Sequence, residues 1–177
     1  AGTAEALCIA EVQVQVVVGG QSYDEREVTV AQLEQALHAK QIVTTSRPPA
    51  AQFEAAYLRL RDEGCDEVVS IHLSSELSGT YEAALVAAGR MTFPVHVVDS
   101  QQVGMAMGFA VMRAAQAAQR GEQGSAIAAA ATHGCHEALI AFSVDTLEYL
   151  QRGGRISGVQ ARIGGALNVK PILQMTD

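Results

Sequence analysis

Aromatic and basic side chains are both scarce in this sequence. Tryptophan is absent from its 177 residues, and aromatic residues make up only 5% of them. So few rings disfavour stacking on bases or sugars as the main activity. The 12 lysines and arginines stand against 19 acidic residues, which gives a formal net charge of -7. Because a polyanion needs a cationic surface, we expect no binding to nucleic acid.

Long hydrophobic runs and paired cysteines are missing as well. Apolar runs such as 126–131 are far shorter than the ~20 residues that span a bilayer, so we expect no stable membrane insertion. The first 15 residues have neither the basic start nor the continuous apolar core of a signal peptide. Three widely separated cysteines form no disulfide framework and no metal-ligand spacing. These absences indicate a reduced, cytoplasmic compartment.

Hydrophobic residues make up 49% of the chain, which is enough for a substantial core at this length. Runs rich in β-branched residues predict strands at 11–18, 68–73, 95–98 and 138–144. Helical spacing of apolar residues predicts helices at 29–39, 49–62, 80–89, 103–119, 123–133 and 146–152. The alternation of short strands with helices predicts an α/β fold, with a parallel sheet and helices on both of its faces.

The pattern changes near residue 145, where a short helix is followed by a glycine-rich, basic segment. An apolar stretch at 169–175 then predicts a strand that would lack partner elements to cover it. We therefore expect residues 1–140 to form a first α/β domain that lacks its opening strand. Residues 141–177 would be the truncated start of a second domain in a longer protein.

Hydroxyl-rich segments lead into predicted helices at three places, 44–49, 74–80 and 99–102. In an open parallel sheet such loops lie at one edge, where hydroxyls and helix N-termini can hold an anion. Gly79 allows close approach, and the segments lack the signatures of phosphate loops. A single carboxylate fits these neutral donors best. The alternative is that these serines and threonines are ordinary helix N-caps.

Catalytic and metal-binding patterns are weak. Ser78 is a candidate nucleophile for a serine-dependent hydrolase or acyl transferase, but it needs a general base, and the candidates are the distant His72 and His96 or a residue outside these 177. His72 lies in an apolar strand, where a packed core histidine is expected. No carboxylate pair stands out, and the His and Cys spacing favours neither a metal site nor another cofactor. The segment 152–157 fits either a solvated turn or a cationic docking surface.

Five motifs occur in the order seen in DegV proteins. They are 44–48 (TTSRP), 73–81 (LSSELSGTY), 98–100 (VDS), 147–157 (LEYLQRGGRIS) and 167–173 (LNVKPIL). The sequence resembles this family over nearly all of its length. The resemblance implies a bacterial fatty-acid-binding protein of two α/β domains, with the acyl chain buried between them.

The resemblance also implies a place in phospholipid metabolism. Such a protein acts as the non-catalytic subunit of a fatty acid kinase and presents its lipid to a separate ATP-dependent kinase subunit, needing no cofactor beyond the bound fatty acid. By motif, the carboxylate ligands would be Thr45 or Ser46 together with Ser78, supported by Gly79 and Thr80. Arg155 would lie on the surface that faces the kinase subunit.

Two departures from the family pattern affect the site. Arg47 stands where the family usually has glutamine, and this cation would either strengthen carboxylate binding or point to solvent. The family's opening strand with its Thr-Asp-Ser turn, and a carboxylate-contacting histidine of the later part, have no counterpart in these 177 residues.

Overall fold

The computed structural model describes residues 2–156, 170 and 172–175. Its strands are β1 (Gln15–Val18), β2 (Gln21–Asp24), β3 (Val43–Ser46), β4 (Val68–His72), β5 (Val95–Asp99), β6 (Ala141–Ser143) and β7 (Ile172–Gln174). Its helices are α1 (Thr3–Ala6), α2 (Val30–His38), α3 (Ala50–Asp62), α4 (Thr80–Ala88), α5 (Gly104–Gln119), α6 (Gly124–His136) and α7 (Glu148–Arg152), with a 3₁₀ turn at Glu25–Glu27. None of the helices described is long and apolar enough to cross a bilayer.

Strands β4 and β5 form a parallel pair in which Val68 lies opposite Val95 and His72 opposite Asp99. One face of β4 packs on α3 and α4 through Val68, Phe53 and a group of buried alanines. The other face packs Val69 and Ile71 on α5 and α6. The predicted α/β fold, with a parallel sheet between helices, is confirmed. Alanine-rich helix faces contribute little side-chain bulk, so the helices can pack closely on the short strands.

A three-stranded antiparallel sheet, in the order β2-β1-β3, was not predicted. The first connection is a two-residue hairpin at Gly19 and Gly20, whose φ angles are +59° and +88°. Both angles suit glycine, which is why a Gly-Gly pair favours this kind of tight turn. The period-two pattern at 11–18 located β1 but gave no information on the direction of its partners.

The segment 44–49 was predicted as a loop, and this was wrong in its first half. Thr44, Thr45 and Ser46 belong to β3, where Thr45 lies opposite Val16 of β1. β-branched residues suit a strand, and this preference outweighed the turn-forming tendency of serine and proline here.

The apolar stretch near the end does contain a strand, β7, and it has a partner: it pairs antiparallel with β6. The division into domains 1–140 and 141–177 stays a prediction.

Two buried side chains, Tyr57 and His72, are joined through the half-buried Ser70 in a hydrogen-bonded chain. The Tyr57 hydroxyl donates to Ser70 Oγ at 2.9 Å, and Ser70 Oγ lies 2.8 Å from His72 Nε2. Since Ser70 accepts from Tyr57, its own proton is free to donate to an unprotonated Nε2. The ring of Phe53 packs edge-on against His72 at 5.3 Å. His72 is the packed core histidine that its apolar strand predicted.

Burial lowers the pKa of His72 to about 4, and the nearby negative charge of Asp99 opposes this shift. The folded-state pKa thus lies below the value of about 6.5 expected in the unfolded chain. Protonation therefore favours unfolding. The stability due to neutral His72 is complete above pH 6.5 and is lost as the pH falls towards 4.

We predict that this group lowers the free energy of unfolding by about 3 kcal/mol between pH 6.5 and pH 4. Urea unfolding of the wild type and of His72→Gln across this range measures the effect, and the variant should show a flatter pH dependence. His38→Gln is the control, because His38 is exposed on α2. An unchanged slope in His72→Gln would contradict the assignment.

Candidate functional site

A cleft of about 570 Å³ lies between the first part of the chain and residues after 140. Its apolar lining consists of Val14, Leu73, Leu77, Val103, Phe142, Leu150, Ile156, Leu173 and Met175. Its polar lining consists of Thr45, Ser46, Arg47, Ser78, Gly79, Arg155 and Gln174. The volume lies within the range of small-molecule sites, which are mostly apolar with a few polar groups that fix orientation.

Four of the five predicted carboxylate ligands line this cleft. Thr45 and Ser46 come from the end of β3, and Ser78 and Gly79 come from the turn between β4 and α4. Thr80 is placed differently. It is the first residue of α4, it is only 3% exposed, and its hydroxyl has no hydrogen-bond partner among the described residues. The structure therefore brings two hydroxyl segments to one cleft and leaves Thr80 in the wall behind.

The turn that carries Ser78 is fixed by its own backbone. The amides of Leu77 and Ser78 both donate to the Ser74 carbonyl oxygen, at 3.0 and 3.1 Å. Ser74 is 2% exposed, and its amide donates to the Gln102 carbonyl oxygen at 2.9 Å. This turn therefore holds the Ser78 hydroxyl on an ordered backbone.

Asp99 joins this turn to the end of β5. Its carboxylate accepts from the amide of Ser75 at 3.2 Å and from the amide of Gln101 at 2.9 Å. The two N–H groups belong to segments 74–80 and 99–102, two of the three segments that were predicted to hold an anion together. The protein supplies that anion itself, so segment 99–102 supports the Ser78 turn, and Val103 just beyond it lines the cleft.

Arg47 lines the cleft, and its side chain extends to the same turn. Its Nη1 lies 3.4 Å from the carbonyl oxygen of Gly79. A Cβ atom at Gly79 would lie 2.6 Å from that nitrogen, so the space beside Gly79 is filled by the guanidinium. Arg47 is exposed, and its guanidinium lies beside Gly79 at the cleft, so its contribution to carboxylate binding stays a prediction. The sequence revealed the charge, but only the contact with Gly79 revealed where the side chain lies.

Arg155 also lines the cleft. Its Nε donates to the Leu77 carbonyl oxygen at 3.1 Å, and its Nη1 contacts the carbonyl oxygen of Gly153. The side chain thus connects the turn after α7 to the serine-rich turn, 78 residues away in sequence. Its predicted role in docking a partner stays a prediction.

The charges around the cleft are of one sign. Two arginines line it, and no aspartate or glutamate does so among the residues with described positions. Across the same described part of the chain, no group of three His, Cys, Asp or Glu side chains is placed to hold a metal ion. The arrangement is suited to binding an amphipathic molecule whose polar end is an anion.

We predict that Asp99→Ala lowers the free energy of unfolding by about 2 kcal/mol, because two amides lose a charged acceptor. Hydrogen exchange at Ser75 and Gln101 should accelerate, which mass spectrometry of the peptides covering 73–79 and 100–103 measures. Asp62→Ala removes an exposed carboxylate that pairs with Arg61, and it should change neither quantity. Unchanged exchange in Asp99→Ala would show that the carboxylate does not hold the turn.

Comparisons with known proteins identify the family. A family model described as an uncharacterised protein of the DegV family matches residues 2–177. A DegV domain-containing protein of Streptomyces coelicolor is 44% identical over 168 residues, which cover 94% of this chain and 60% of that protein. The chain thus spans about 60% of the length of such relatives.

Two solved structures are similar in fold and sequence. One concerns fatty acid binding by a DegV family protein from Thermus thermophilus, with a TM-score of 0.87, 35% identity, and coverage of 98% of this chain and 62% of that one. The other is DegV, a fatty acid binding protein from Bacillus subtilis, with a TM-score of 0.84, 35% identity, and coverage of 98% and 63%. The five motifs, the fold and the family match agree, and this chain belongs to the DegV family.

Proposed function

We propose that this chain binds a long-chain fatty acid, with the alkyl chain in the apolar cleft and the carboxylate at its hydroxyl-lined end. The observation that carries the proposal is the composition of one cleft, which is lined by nine apolar side chains, three neutral hydroxyls and two arginines. The fatty acid binding of the two similar DegV structures supports the same ligand class.

Most of the affinity would come from the alkyl chain. Burial of a sixteen-carbon chain at ~0.8 kcal/mol per methylene amounts to about 12 kcal/mol before the costs of association. A hydrogen bond from a hydroxyl contributes about 1 kcal/mol. The head-group residues would therefore orient the carboxylate more than they hold the lipid.

We further propose that the bound fatty acid is presented to an ATP-dependent kinase subunit in the cytoplasm. In that reaction a carboxylate oxygen attacks the γ-phosphoryl group of ATP, which yields an acyl phosphate and ADP. The chain would supply binding and orientation, and the partner would supply ATP and catalysis. The family resemblance supports this role, and Arg155, an exposed residue of the cleft lining, is the candidate docking residue.

A hydrolase or acyl transferase that uses Ser78 has less support. Its general base would need to lie within about 3 Å of the serine hydroxyl. His72 is buried, and it lies 2.8 Å from Ser70 in the core. Because His72 is hydrogen-bonded to Ser70, which in turn accepts from Tyr57, it is not the base that a nucleophilic Ser78 requires.

We predict that Ser78→Ala weakens binding of palmitic acid by about 5- to 30-fold, which corresponds to the loss of one hydrogen bond to a carboxylate. Acyl phosphate formation with the kinase subunit should fall further than binding, because the carboxylate would be mispositioned. Ser75→Ala is the matched control, since Ser75 is in the same turn but is not among the cleft-lining residues described. Equal binding and phosphorylation by Ser78→Ala would rule out this role for Ser78.

A further inference from the structure

We infer that Arg47 makes this cleft selective for lipids with an ionised head group over uncharged lipids of the same chain length. The inference rests on the proposed fatty acid binding and names a residue that sets its specificity. It follows from the position of the guanidinium, its unused donors and the absence of a counter-ion in the described structure.

The position of Arg47 depends on Gly79. The site of a Cβ on Gly79 lies 2.6 Å from Nη1 and 2.9 Å from Cδ of Arg47, so a larger residue would displace the arginine. Arg47 follows Ser46 directly, at the end of β3, and Gly79 follows Ser78. The Arg47 side chain therefore extends from one of the hydroxyl segments that line the cleft to the backbone of the other.

The donors of Arg47 are largely unused. A guanidinium has five N–H groups, and the hydrogen bond described for Arg47 is a single long one, 3.4 Å to a backbone carbonyl. Arg155 differs, because it is already bonded to two backbone carbonyl oxygens.

Arg47 also differs from most other arginines of the chain in having no ion-pair partner among the described residues. Six others pair with carboxylates: Arg26, Arg59, Arg61, Arg90, Arg120 and Arg152. In a chain of net charge -7, carboxylates are abundant, yet none neutralises this cation within the described part.

A free guanidinium at the rim of an apolar cleft favours a carboxylate, because two parallel N–H donors match its two oxygens. A fatty alcohol can use the hydroxyls of Ser78 and Thr45 but gains nothing from the charge. The ratio of affinities for acid and alcohol therefore isolates the contribution of Arg47 from that of the alkyl chain.

The test compares palmitic acid with hexadecanol by titration of the intact protein, as wild type and as Arg47→Gln. We expect acid affinity to fall by about tenfold, the effect of one charge-assisted contact at a solvated rim, and alcohol affinity to stay unchanged. Arg59→Gln removes the same charge from the exposed face of α3 and should alter neither affinity. Gly79→Ala keeps the charge but displaces the guanidinium, so it too should lower acid affinity.

The outcomes separate the two proposals. If the wild type binds the acid and Arg47→Gln keeps the same acid-to-alcohol ratio, the role of Arg47 is overturned and fatty acid binding stands. If the wild type binds neither lipid, the proposed function and this inference fail together. An acid-selective loss in Arg47→Gln that higher salt reduces in the wild type supports both.

Discussion

The contact of the Asp99 carboxylate with the amides of Ser75 and Gln101 is the constraint on which the site depends. It joins the ends of the two parallel strands, β4 and β5, at the edge where ligands bind in open α/β sheets. The carboxyl end of β5 therefore fixes the turn that carries Ser78. Two carbonyl oxygens of this turn accept hydrogen bonds from arginines. Arg155 donates to Leu77, and Arg47 donates to Gly79.

The sequence predicted best those elements in which buried apolar residues recur at the spacing of a strand or a helix. Strand β4 and helices α3 to α6 fall within a few residues of their predicted ranges, because β-branched runs and helical spacing report burial directly. The pairing of β3 was missed because strand register depends on contacts between distant segments. The hairpin at Gly19 has a local Gly-Gly signal, but the polar residues of β2 lack the apolar alternation that predicts a strand.

The same distinction applies to the site. Motifs identified Thr45, Ser46, Ser78 and Gly79, and the structure places all four at one cleft. The contacts of Asp99 and Arg47 could not be predicted from the sequence, because they join segments that are far apart in it. The sequence predicted that segment 99–102 would help to hold a ligand anion, whereas its amide at Gln101 binds the protein's own Asp99 carboxylate. It also left the direction of Arg47 open. Thr80 fits the motif, but its hydroxyl is buried behind the cleft wall, which a linear spacing does not reveal.

Binding of a long-chain fatty acid is the central claim, and the most direct measurement is extraction of the intact, purified protein with organic solvent, followed by mass spectrometry. We expect one long-chain fatty acid per protein molecule, or a raised melting temperature when palmitic acid is added to lipid-free protein. If the extract contains no lipid and added palmitic acid causes no thermal shift, fatty acid binding is contradicted and the cleft is left without its proposed ligand.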